Sequence, residues 1–207
     1  EGNLVLILGG ARRGKSRFAQ EMAARLSDRV LFVATAEPGD PEMRARIERH
    51  RRERPPGWRL LEAPRDVARH LPAHLAGVDV FILDCVTLLV SNILLAGQSG
   101  PRRRREPSAN ALARVREEIE GLLDVVRRHS ALALVVSNEV GLGVVPENRL
   151  ARLYRDLLGM ANQMLAGAAG EIYLLVAGIP VCIKKAGASP LGQGKDGEAH
   201  ETGVGEP

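Results

Sequence analysis

Gly9-Gly10-Ala11-Arg12-Arg13-Gly14-Lys15-Ser16 is the segment of this sequence with the most definite chemistry. A polyphosphate needs many hydrogen-bond donors within a small volume. Glycines allow successive backbone N–H groups to turn toward one point, and the first turn of a helix adds its positive end. In such a loop Lys15 reaches the β- and γ-phosphates and Ser16 ligates Mg²⁺. The bland alternative is a chance match in a glycine-rich turn. Context counts against it, because the segment follows an aliphatic run (4–8) and opens a stretch with Phe18, Met22, Ala23 and Leu26 at helical spacing. Asp84 closes a second aliphatic run, 78–83, at the place where a carboxylate meets the metal of a phosphate loop. The competing reading is an ordinary strand-end Asp that caps the following helix.

The stretch 44–54 (RARIERHRRER) is strongly basic and carries His50. Three readings stay open: a solvated helix face with i,i+4 ion pairs, a nucleic-acid patch, or a second anion site. In the third, the surrounding cations hold the imidazole of His50 neutral and stabilise a phosphorylated adduct. His70 and His74 stand at i,i+4, a spacing compatible with metal, but no third ligand accompanies them and an exposed face is expected. His129 reads as a helix-end residue. Arg102 to Arg105 read as a solvated loop, and Cys85 and Cys182 as small buried hydrophobes.

These residues need elements to hold them. The runs 4–8, 30–34, 78–83, 131–136, 171–176 and 181–184 read as strands, mostly continuous aliphatic segments of the kind buried on both faces of a parallel sheet. Helices are expected at 15–26, 41–52, 85–96 and 147–168. Another follows a Ser108 cap, with Leu112, Val115, Ile119, Leu122 and Val126 as its apolar stripe. Gly178-Ile179-Pro180 is expected to turn the chain into the last strand. The segment 97–107 reads as a flexible loop, and 186–207, with six glycines and almost nothing to bury, as a disordered tail. The alternation predicts one α/β domain over residues 1–185: a P-loop NTPase of RecA-like build, a three-layer sandwich around a mainly parallel sheet.

Composition narrows the partners. The 207 residues are 45% hydrophobic and 26% charged, enough to form a core, with a net charge of +4. Two distant cysteines exclude a disulfide scaffold and fit a reducing cytoplasm. No apolar stretch reaches the ~18 residues of a membrane helix, and no secretory signal is visible at Glu1. One Trp, two Tyr and three Phe are too few for a base-stacking platform, so no nucleic-acid partner is expected.

Three blocks in order carry a resemblance. The first, Leu6-Ile7-Leu8-Gly9-Gly10-Ala11-Arg12-Arg13-Gly14-Lys15-Ser16-Arg17, is similar to a GGARSGKSR signature. The second is Arg46-Ile47-x-x-His50-Arg51, then Arg54-Pro55 and Trp58-Arg59 ahead of Glu62. The third and longest is 137–152, SNEVGLGVVPENRLAR. Together they resemble the bifunctional adenosylcobinamide kinase / adenosylcobinamide-phosphate guanylyltransferases of cobalamin biosynthesis, over about 4–184. Arg13 stands where that family usually has Ser or Thr, and Asp84 where some members have Glu. The resemblance implies phosphorylation of the adenosylcobinamide aminopropanol hydroxyl by ATP or GTP, then transfer of GMP from GTP to adenosylcobinamide phosphate. It implies His50 as the guanylylated nucleophile beside a catalytic Lys15, with Thr35, Ala36, Glu37, Arg51, Arg52, Glu53, Arg54, Glu62 and Asp84 at nucleotide-contact positions. It also implies a homotrimer; Mg²⁺ on Ser16 and Asp84, read from the loop motif, and a cytoplasmic enzyme, read from the cysteines, complete the expectation. Two other classes remain in view: a regulatory RecA-like ATPase switching a partner, and a nucleic-acid module using residues 44–54 and 102–105.

Overall fold

The computed structural model describes residues 2–39, 41–96, 110–141 and 143–185, without the side chains of Glu42, Met43, Arg46, His50 and Glu53. The expected loop 97–107 with its arginines, the Ser108 cap and the tail 186–207 lie outside the described residues.

Seven strands form one sheet: β1 (Leu4–Gly9), β2 (Val30–Ala34), β3 (Arg59–Glu62), β4 (Val80–Asp84), β5 (Leu132–Val136), β6 (Glu171–Val176) and β7 (Ile179–Lys184). Their spatial order is β3-β2-β4-β5-β1-β6-β7, all parallel except the β6–β7 hairpin. The helices are α1 (Lys15–Leu26), α2 (Pro41–Glu53), α3 (Val67–His70), α4 (Val86–Leu94), α5 (Ala111–Arg128) and α6 (Arg149–Ala168), with a 3₁₀ turn at Leu71–His74.

The pleat explains the two-sided core. In β1, Leu4, Leu6 and Leu8 point to one face and Val5 and Ile7 to the other, and all five are buried. The first face packs against α3, α4, α5 and α6 in one large apolar cluster. The second meets α1 through Ala19 and Ala23, with Phe18 and Met22 beside them. Helices on both faces are what the parallel part of such a sheet requires.

Four expectations differ from the structure. β3 was not anticipated: it is four residues long, lies at the sheet edge and is largely exposed, so it carries no burial signature. Leu112 is 54% exposed, and the buried stripe of α5 begins at Ala111 instead. Cys182 is exposed on β7, while Cys85 is half-buried. The last turn is made by Ala177 and Gly178, both at positive φ, which leaves Ile179 and Pro180 within β7. Two positive-φ residues match the type I′ hairpin twist, and Pro is tolerated because β7 is an edge.

Candidate nucleotide site

The phosphate loop occupies the turn between β1 and α1. Gly14 caps α1 at φ 84°, a conformation only glycine adopts without strain. Gly9 (φ 149°) is crowded: a Cβ there would lie 2.8 Å from the Leu175 carbonyl oxygen of β6. Arg12 takes φ 57° without being glycine, a local strain of the kind concentrated at functional turns. Lys15 is buried, and its Nζ donates to the Gly10 carbonyl at 2.7 Å. Ser16 is half-buried one residue further along α1, and Arg12, Arg13 and Ala11 are exposed on the loop.

Asp84 ends β4, in register with Ala34 of β2 and Val136 of β5. β5 therefore stands between the loop-bearing β1 and the Asp84 strand. A cluster of buried polar bonds secures this corner. Thr35 is fully buried; its hydroxyl donates to the Cys85 carbonyl (2.8 Å) and accepts from the Cys85 N–H (2.7 Å). Asn92 Nδ2 donates to the carbonyls of Thr35 and Pro64. The side chain of Thr35 is thus committed to holding the chain after Asp84, a role its position in the sequence did not suggest.

Between the sheet and α2 lies a cavity of about 670 Å³. Ala36, Glu37, Arg51, Arg54, Glu62 and Asp84, all anticipated site residues, line it; Phe32, Cys85 and Leu88 add apolar wall. The Arg54 guanidinium lies over the Phe32 ring, 4.6 Å from its centroid, and its buried Nε has no hydrogen-bond partner. Burial first, and then the nearby Arg51, push the Arg54 pKa below its ordinary value, with Glu62 opposing. The guanidinium stays charged, so this is an under-compensated cation beside a cavity, a setting that favours an anion. Arg51 is paired with Glu62 at 2.6 Å, and that bond raises its pKa. Arg65, which sequence reasoning missed, pairs with Glu37 at 3.2 Å. No local pattern marks Arg65; only the fold brings it to the β2–α2 connection.

Other anticipated residues lie elsewhere. The phosphate loop does not line this cavity, and Arg52 is exposed and pairs with Glu48 at 3.7 Å, one turn away. His50 and Glu53 sit at the C-terminal end of α2. The His74 ring Nδ1 lies 3.0 Å from the His70 carbonyl, and no group of three or more His, Cys, Asp or Glu suited to a metal occurs among the described residues.

A parallel sheet with a phosphate loop after β1, a carboxylate at the end of β4 and one strand inserted between them is the framework of a RecA-like P-loop nucleotide-binding protein. Within that class the chain is placed by its sequence relatives. The family described as cobinamide kinase / cobinamide phosphate guanyltransferase matches residues 5–183, and the chain belongs to it. It is 42% identical over 183 residues to the "Bifunctional adenosylcobalamin biosynthesis protein CobU" of Salmonella typhimurium, covering 87% of this chain and 99% of that protein. It is 39% identical over 179 residues to the "Bifunctional adenosylcobalamin biosynthesis protein CobP" of Pseudomonas aeruginosa, covering 86% and 96%. Among solved structures, the RadB recombinase matches at TM-score 0.44 and 15% identity, over 83% of this chain and 73% of that one. The flagellar accessory protein FlaH of Methanocaldococcus jannaschii matches at 0.47 and 13%, over 88% and 78%.

Proposed function

We propose that this protein phosphorylates the aminopropanol hydroxyl of adenosylcobinamide with ATP or GTP and then transfers GMP from GTP to the new phosphate, giving adenosyl-GDP-cobinamide and pyrophosphate. The observation that carries this is the pairing of two anion-receptive features on one sheet. One is the Gly9–Ser16 loop; the other is the cationic cavity under α2, the helix that bears His50. Membership of the bifunctional family supports the same reading.

In the first reaction the loop N–H groups and Lys15 hold the β- and γ-phosphates, and positioning with charge neutralisation supplies most of the acceleration. Ser16 and Asp84 offer a hydroxyl and a carboxylate. With so few protein oxygens, the donor set fits Mg²⁺, which takes one or two protein ligands plus phosphates and keeps its waters. When bound, Mg²⁺ neutralises charge on the transferring phosphoryl group. In the second reaction an imidazole nitrogen of His50 attacks the α-phosphorus of GTP. The N–P bond forms, the bond to the β-phosphate oxygen breaks, and pyrophosphate leaves. The cobinamide phosphate then takes GMP from the histidine.

Arg54, Arg51, Glu62, Glu37 and Ala36 are the nucleotide contacts of this reading within the cavity, with Thr35 acting through the backbone it holds. Arg52 and Glu53 complete the set from α2. The exposed apolar residues of edge strand β7 (Ile179, Val181 and Ile183) support a homotrimer that covers them, since a bare apolar edge invites pairing. No helix among the described residues is long and apolar enough to cross a membrane; the two distant cysteines support a cytoplasmic enzyme. The test is incubation with GTP labelled at the α-phosphate: an acid-labile adduct mapping to His50 is expected, and its absence overturns the second half of the proposal.

A further inference from the structure

The longest sequence signature, 137–152, has no part in the chemistry above. It starts where β5 ends, and β5 is the strand between the phosphate loop and Asp84. Val136 is in register with Ile7 on one side and Asp84 on the other. Adjacent strands lie about 4.8 Å apart, so the chain leaving β5 rises into the gap where a γ-phosphate and its acceptor must meet. It follows β1 upward: the Ser137 N–H donates to Ile7 (3.0 Å), and the Glu139 N–H donates to the carbonyl of Gly9, first glycine of the phosphate loop (3.2 Å).

Beneath this segment the fold buries polar side chains in an otherwise apolar layer. The Ser137 hydroxyl donates to Asn162 Oδ1 (2.7 Å), and Asn162 Nδ2 donates to the Asn138 carbonyl (3.0 Å). The Asn138 N–H donates to Thr87 Oγ1 (2.8 Å), and the Tyr154 hydroxyl donates to the Thr87 carbonyl (3.2 Å). Ser137, Asn162 and Thr87 are each at most 9% exposed. Apolar residues of the same size would fill this space without polar groups to satisfy. What they would not do is grip both backbone polar groups of Asn138 and so fix residue 139.

Glu139 is half-buried, and its Oε1 accepts the Gly141 N–H at 3.1 Å. Of the carboxylates that line the α2 cavity, Glu37 and Glu62 have their oxygens engaged by arginines, and Asp84 belongs to the metal in the reading above. We propose that Glu139 is the proton acceptor of the kinase reaction, held in place by Ser137, Asn162 and Thr87 as positioning residues. As the acceptor hydroxyl oxygen bonds to the γ-phosphorus, its proton passes to the Glu139 carboxylate. The bond from the γ-phosphorus to the β–γ bridging oxygen breaks, and its electron pair leaves with the nucleoside diphosphate. Glu139 then releases the proton to water.

This rests on the kinase reading, and the experiment separates the two. Glu139→Gln keeps an oxygen for the Gly141 N–H but cannot take the proton. Cobinamide phosphorylation is measured with ATP for the parent, Glu139→Gln and Lys15→Ala. For Glu139→Gln we expect kcat to fall about a hundredfold or more with KM for ATP little changed, the signature of a general base. A near-parental kcat in Glu139→Gln beside an inactive Lys15→Ala overturns the inference and leaves the kinase reading standing. A rise in KM that accounts for the whole loss also overturns it, by assigning Glu139 to nucleotide binding. Activity retained in Lys15→Ala removes the kinase reading itself.

Discussion

The sheet side and the α2 side of the candidate site are held by different forces, although both lie at the C-terminal ends of the same parallel strands. The strand ends are fastened by hydrogen bonds from side chains set into the sheet: Asn162 to Ser137 and Asn138 beside the loop, and Thr35 and Asn92 to Cys85 and Pro64 at the cavity floor. The α2 side is closed by exposed ion pairs, Arg51–Glu62 and Arg65–Glu37, over a cavity rather than a packed core. Buried hydrogen bonds are costly to leave unmade, whereas surface ion pairs contribute little to stability. Phosphoryl transfer needs fixed geometry within fractions of an ångström. A covalent carrier that loads at one partner and unloads at another tolerates, and benefits from, a looser mount. The two mounts match the two reactions proposed for this chain.

That contrast can be broken by variants on either side. The largest effect is expected for His50→Ala, which removes the covalent GMP adduct entirely while the kinase is less affected; labelling with α-labelled GTP and a separate phosphorylation assay read the two. An adduct that forms at an unchanged rate would detach α2 from the chemistry. Lys15→Ala is expected to cost the kinase at least about a hundredfold, the scale of losing a preorganised charge contact, with the circular dichroism spectrum unchanged. Asn162→Leu sharpens the comparison from the buried side. It strands the Ser137 hydroxyl and the Asn138 carbonyl, so the unfolding free energy should drop by about 1–3 kcal/mol in denaturant titration. Arg51→Gln probes the other mount and should give the smallest structural effect: no measurable change in Tm, but slower formation of the GMP adduct. A loss of Tm comparable to that of Asn162→Leu would erase the distinction.

Much of this was legible where a local pattern sufficed. β1, the phosphate loop, α1 and Asp84 are written in contiguous residues, and β2 and β6 have the bounds their apolar runs predict. β3 was not legible because an exposed four-residue edge strand has neither alternation nor an aliphatic run. The cavity was invisible for a different reason. It exists only because α2 stands off the sheet, and its Arg54–Phe32 contact joins residues 22 positions apart. Arg65 and Asn92 act through partners supplied by other elements, so neither carries a motif. The basic surroundings of His50 left a phosphorylated adduct as one of three readings, and the choice of His50 as guanylylated nucleophile came from family resemblance.

The strand order also bears on how the chain is made. β1 leaves the ribosome before the other six strands, yet its two partners are β5 and β6, with Leu4 facing Ala133 and Val5 facing Glu171. At about 5–20 residues per second, the phosphate loop therefore waits many seconds for the strands that flank it, with an aliphatic β1 unpaired throughout. Such long-range parallel pairing folds slowly and exposes aggregation-prone segments on the way. A nascent chain halted before β6 would carry the full phosphate-binding sequence without the strand that crowds Gly9 into place.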